Sequence, residues 1–141
     1  MSAFVSLGAL FLGQMGSALG QPLVAPTEAL SPAEQQKRFH LPPGFEIQLV
    51  AAEPDVRKPM NLAFDDQGRL VVTQSVEYPF AAKPDAVPRD TVKRYSDFAA
   101  DGRARKVETL VDKLNIPIGV LPVRDGDRDG AIVYSIPEIY R

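Results

Sequence analysis

Two stretches of this chain carry one pattern at a fixed separation. Pro59-Met60-Asn61-Leu62-Ala63-Phe64 leads to Gly68, nine residues after its proline, and Pro117-Ile118-Gly119-Val120-Leu121-Pro122 leads to Gly126, also nine after its proline. The copies stand 58 residues apart. Further on, Arg69-Leu70-Val71-Val72-Thr73 matches Ala131-Ile132-Val133-Tyr134-Ser135 at a spacing of 62. The local duplication Arg124-Asp125-Gly126-Asp127 / Arg128-Asp129-Gly130 accounts for the four extra residues. A repeat of this length, with several short strands in each copy, is the signature of β-propeller blades. A small β-sandwich or meander whose hairpins share turn chemistry is the alternative.

The strands are read from period-two alternation between turn signals. Phe45, Ile47 and Leu49 point one way and Glu46, Gln48 and Val50 the other, so 45–51 is predicted as a half-buried strand. Asn61–Phe64 and Leu70–Thr73 flank Asp65-Asp66-Gln67-Gly68, a hairpin signal with glycine where a positive φ is needed. A proline-rich loop follows, Tyr78 to Pro88. Thr91–Tyr95 and Lys106–Val111 complete the unit through Ala100-Asp101-Gly102-Arg103. The 13 prolines and 10 glycines favour turns over long helices. Only Ser31-Pro32-Ala33-Glu34 reads as a helix start, with a capping box, and Pro42 and Pro43 confine that helix to residues before Phe39.

The first residues bear on compartment. Ala3 to Leu12 is a compact apolar run followed by Ala18-Leu19-Gly20, the pattern of a signal peptide over 1–20 cleaved before Gln21. It is shorter than a transmembrane span requires, so no transmembrane span is expected. The first basic residue is Lys37: either the α-amino group is the only positive charge at the start, or translation begins elsewhere. A buried helix is the competing reading, which Pro22 and Pro26 disfavour. Export to the periplasm or outside the cell is the expectation, with 21–30 a linker and 31–141 the folded domain.

Several chemistries are excluded by composition. The chain has no cysteine, hence no disulfide, no thiolate ligand and no c-type haem attachment. Its 16 basic and 18 acidic residues are interspersed, net charge −2, which gives no nucleic-acid-binding field. No phosphate-binding glycine loop, G-x-S-x-G or histidine cluster occurs.

A family resemblance rests on longer runs: Phe39-His40-Leu41-Pro42-Pro43-Gly44-Phe45-Glu46-Ile47, Ala52-Glu53-Pro54, Pro59 to Gln74, Asp101-Gly102-Arg103, Leu114 to Val120, and Tyr134-Ser135-Ile136-Pro137-Glu138-Ile139. Over Ser31–Arg141 the chain resembles the N-terminal part of membrane-bound dehydrogenases abundant in planctomycetes. These are propeller proteins often fused to a haem-binding domain. Val71 departs from the family pattern, which has tryptophan there. The resemblance implies an all-β fold, a partial six-bladed propeller of about two blades. Its closing strand would be 45–51, its first blade 59–111 and the start of its second 116–141. It also implies kinship with quinoprotein glucose and sorbosone dehydrogenases, and so pyrroloquinoline quinone as the parent cofactor and a sugar or alcohol as substrate. A closed ring needs four or more blades. The chain therefore reads as a truncated frame without turnover of its own, with strand edges open to self-association.

Candidate site residues follow. Such a dehydrogenase needs a general base, usually histidine. The only histidine, His40, sits at a turn beside two prolines and matches no catalytic position. Loops at one mouth of a propeller converge on its channel, so Asn61, Gln74 and Asn115 are the cofactor- or ligand-binding candidates, although each could equally cap a turn. Asp125-Gly126-Asp127-Arg128-Asp129-Gly130 spells the first half of a calcium loop, making Asp125, Asp127 and Asp129 candidate metal ligands. Position twelve of that loop is Ile136 instead of an acid, so a polar hairpin is the competing reading. A non-catalytic propeller binding module and a small calcium-stabilised β domain stand as alternatives to the oxidoreductase fragment.

Overall fold

The computed structural model describes residues 27–141. The signal-peptide segment and most of the expected linker lie outside the described residues. The chain enters through α1 (Pro32–Gln36), where the capping box forms as anticipated. Ser31 Oγ accepts from Glu34 N at 3.3 Å, and Glu34 Oε2 accepts from Ser31 N at 3.0 Å. The helix stops after Gln36 and buries no residue.

Among the described residues seven strands then form two antiparallel sheets. Sheet I holds β1 (Pro59–Phe64), β2 (Leu70–Gln74), β3 (Asp90–Phe98) and β4 (Ala104–Leu114), in that order. Sheet II holds β5 (Pro117–Asp125), β6 (Arg128–Ser135) and β7 (Glu138–Tyr140), also in chain order. The two proline-led segments are thus the first strands of separate sheets, and β1 lies beside β5 without sharing a ladder with it.

The repeat is visible in the ladders. Pro59 pairs with Gln74 and Pro117 with Ser135, and each pairing slips immediately afterwards, between Pro59 and Asn61 and between Pro117 and Gly119. The residue before each proline has positive φ, Lys58 at 40° and Ile116 at 52°. Non-glycine residues seldom adopt that region. Each carbonyl there accepts an N–H one residue past the second strand, Ser75 N to Lys58 O at 3.1 Å and Ile136 N to Ile116 O at 3.5 Å.

These ladders correct the sequence alignment of the second strands. Asn61 opposes Thr73 and Gly119 opposes Tyr134, so the equivalent residues in β2 and β6 are 61 apart, not 62. A one-residue slip exchanges the two faces of a strand. Val72, not Val71, is therefore the counterpart of Val133.

Sheet I is packed on both faces over its middle strands. Toward sheet II it buries Val71, Val92 and Leu114 against Val133, with Val120 and Ala131 packed at the margin. On its far face Leu70, Val72 and Tyr95 are covered by Val50, Ala51 and Val56. The segment 45–51 belongs to no sheet. Its end packs Val50 and Ala51 against the far face of sheet I, and one backbone bond, Ala104 N to Val50 O at 3.0 Å, ties it to the start of edge strand β4. Its passage demands a glycine: Gly102 has φ 86°, and a Cβ there would lie 2.7 Å from Gln48 Cβ. The Ala99–Arg103 turn is closed by Gly102 N to Ala99 O at 2.9 Å and Ala99 N to Arg103 O at 2.8 Å.

Candidate functional site

The first group of polar side chains lies where β2 and β6 end and where β3 and β5 begin. Asp90 opens β3 and is 1 % exposed. Its carboxylate accepts from Ser75 Oγ at 2.7 Å, Ile116 N at 2.8 Å and Glu77 N at 3.1 Å. Ser135 Oγ donates to Asn115 O at 2.7 Å and accepts from Asn115 N at 3.1 Å. A buried carboxylate is stable only when its lone pairs are met in this way. The cluster ties the crossover into sheet II to the last residues of β2, and its groups are engaged with one another.

Two of the three residues predicted to bind a ligand are drawn into the same work. Gln74 is buried; its Oε1 accepts from Arg57 N at 2.6 Å and its Nε2 makes a long contact to Tyr95 Oη at 3.5 Å. Asn115 Oδ1 accepts from Ala82 N at 3.1 Å and so anchors the proline-rich loop. Asn61 remains exposed on β1, with its backbone N–H bonded to Thr73 Oγ1 at 3.0 Å. The three therefore share one end of the sheets without converging on a common point through their polar atoms. His40 is exposed in the loop before Pro42.

The acidic hairpin folds as strand and turn. Asp125 pairs with Arg128 and Arg124 with Asp129, which leaves only Gly126 and Asp127 in the turn. Gly126 has φ 60° at the first of these positions, as a type II′ turn needs. Asp125 then bonds Arg141 at 2.8 Å, while Asp129 turns to arginines on both sheets. Asp125, Asp127 and Asp129 are not brought together, and among the described residues no three His, Cys, Asp or Glu side chains group as metal ligands.

Those arginines rim a cleft of about 480 Å³ between the sheets. Its walls are apolar, chiefly Val71, Val92, Val111 and Val133. At its mouth Arg69 donates to Asp65 and Asp129, each at 2.6 Å. Arg124 binds Asp66 at 2.6 Å and Asp129 at 3.2 Å, and Arg94 approaches Asp129 at 3.7 Å while holding Glu108 at 3.0 Å. Burial pushes the Asp65 carboxyl up, but hydrogen bonds from the Arg69 backbone and guanidinium and from Gln67 N outweigh it and leave the group below its ordinary value. The Asp129 contact holds the Arg69 guanidinium above its usual range. Lys106 first and then Arg94 keep Glu108 low.

An acidity set this way suits permanent ion pairs and opposes proton transfer, because a carboxylate held below its usual range is a poorer base. The volume lies within the range of small-molecule sites. Sequence reasoning missed this cleft because Asp129 and Arg69 are 60 residues apart and only the packing of the sheets joins them. Asp90 was equally silent, a single acid ahead of a strand.

Fold and site together define a two-sheet antiparallel β domain with a repeated bulged hairpin and an ion-rimmed cleft between the sheets. The chain belongs to DUF7133, a domain family of unknown function, matched over residues 31–141. No curated protein and no solved structure matches it. Among the described residues no helix is long and apolar enough to cross a membrane.

Proposed function

We propose that the chain is a two-blade, propeller-type part of an exported oxidoreductase of the sugar- or alcohol-dehydrogenase kind, supplying architecture instead of catalytic groups. The observation that carries this reading is the bulged, proline-led hairpin repeated in two sheets that pack face to face, with β1 beside β5. The resemblance of residues 31–141 to membrane-bound dehydrogenases adds the enzyme class, and the apolar run Ala3–Leu12 adds export to the periplasm or beyond. Gln74, Asn115 and Asp90 are spent on holding strand ends, which is the chemistry of a scaffold.

The reading is tested by mixing the purified chain with pyrroloquinoline quinone, calcium, a panel of aldoses and alcohols, and a redox dye. No dye reduction above the protein-free control is expected. Steady turnover would overturn it, since the chain would then hold its own catalytic groups.

A second reading, a non-catalytic binding module, is favoured by the cleft with its valine walls and arginine-rich mouth. Small apolar carboxylates such as benzoate and octanoate match both features. Titration calorimetry showing no heat with either would remove it.

A further inference from the structure

The two sheets are stacked in the same sense. Sheet II turns Val120, Ala131 and Val133 toward sheet I. By the ladder equivalences these correspond to Leu62, Leu70 and Val72, which lie on the far face of sheet I, because Leu62 opposes Val72 and Phe64 opposes Leu70. Conversely, Ala63 and Val71, on the face of sheet I that meets sheet II, correspond to Leu121 and Ile132 on the outer face of sheet II. The chain thus displays, at its two ends, both halves of an interface that it also makes internally.

Both halves are uncovered where the first strands run. Leu62 is 60 % and Phe64 63 % exposed, because the segment 50–56 shields only the β2 and β3 side of that face. On the outer face of sheet II, Leu121 is 59 %, Tyr134 41 % and Ile139 72 % exposed. Leu121 opposes Ile132, and Tyr134 lies between Gly119 and Ile139, which makes a contiguous uncharged patch. Contiguous apolar patches of this kind mark interaction surfaces.

We propose that the outer face of sheet II docks a second copy of this chain, which presents the Leu62–Phe64 side of its sheet I and so repeats the internal packing of the two sheets. The inference needs the repeat and the exposed faces; it does not need the oxidoreductase reading. Its interface is heterologous, so association continues past two copies, into a ring where the rotation closes and a filament where it does not.

Sedimentation velocity of the purified chain across a hundredfold concentration range tests this. Growth beyond the dimer is expected. A monomer throughout would overturn it. Phe64→Glu and Leu121→Glu, both at exposed sites and checked for native circular dichroism, should each abolish growth alone. When mixed, they should recover one intact interface and form a heterodimer that goes no further. If Phe64→Glu still associates while Leu121→Glu does not, the outer faces pair symmetrically and the proposal is wrong. A mixture that stays monomeric, with both variants folded, also overturns it.

Discussion

Arg69, at the end of the first hairpin turn, and Asp129, on β6, meet at 2.6 Å across the mouth of the inter-sheet cleft. The side chain of Arg69 is 18 % exposed and that of Asp129 32 %, so the pair is shielded better than an ordinary surface ion pair. Asp129 also serves Arg124 and Arg94. Asp129→Ala leaves three guanidinium groups facing one another. It should destabilise the fold by about 1–2 kcal/mol in urea titration at low salt, and by less at 1 M salt. A variant as stable as the parent at low salt would show that the network contributes nothing.

Acid should loosen the same mouth. The Asp65 carboxyl is held below its unfolded value of 3.8, so its contribution to stability is present above that value. It is lost as pH falls through the lower folded value, because the unfolded chain then binds the proton more readily. Asp65→Asn should flatten the pH dependence of the melting temperature below about pH 4, as read by thermal scans between pH 2 and 5.

Asp90 is a buried carboxylate met by three donors. Asp90→Ala strips the partner from Ser75 Oγ, Glu77 N and Ile116 N together. Unmet buried donors make the expected loss about 3–4 kcal/mol, against about 1 kcal/mol for Ser75→Ala. Chemical denaturation of the two variants side by side checks the ranking; equal losses would refute it.

Burial, reinforced by the nearby Asp55 charge, pushes the Tyr95 hydroxyl up from 10.0 to about 12. Its folded value exceeds its unfolded one, so the associated stability is complete below pH 10 and disappears as pH climbs through 12. Tyr95→Phe, which gives up the bond to Asp55 O at 2.9 Å, should cost about 1 kcal/mol at neutral pH. The variant should also lack this tyrosine's share of the alkaline loss. Denaturation curves at pH 8 and 11 for both proteins are the measurement.

Gly102→Ala combines an unfavourable φ with contact against Gln48 and should lose about 1–2 kcal/mol. In a Gln48→Gly background only the backbone strain remains, so the penalty should shrink. An unchanged penalty would mean that the crossing segment yields freely.

Much of the sheet architecture was legible because prolines, glycine turns and period-two runs are local signals. Pro59, Gly68, Pro117 and the capping residues Ser31 and Glu34 all took up the local roles read for them. What local signals cannot fix is register and direction. The alignment of β2 with β6 slipped by one because valines and isoleucines fill both faces of these strands, and only the ladder distinguishes them. The run 45–51 alternates like a strand, yet it meets the edge strand β4 through a single backbone bond, Ala104 N to Val50 O, and forms no ladder. Asp125, Asp127 and Asp129 resemble an ion loop in one dimension, whereas tight pairing of Asp125 with Arg128 sends their side chains to separate partners. Gln74 ends β2 and Asn115 precedes β5, but the donors they meet, Arg57 N and Ala82 N, come from loops that no periodicity describes.

The like orientation of the two sheets has an evolutionary corollary. A stack whose every layer offers the same pair of unlike surfaces can lengthen by copying one layer, since each newcomer arrives already complementary to its neighbour. Tandem duplication of a single bulged hairpin and its flanking strands is then enough to change the size of the assembly, with no fresh contact surface to invent.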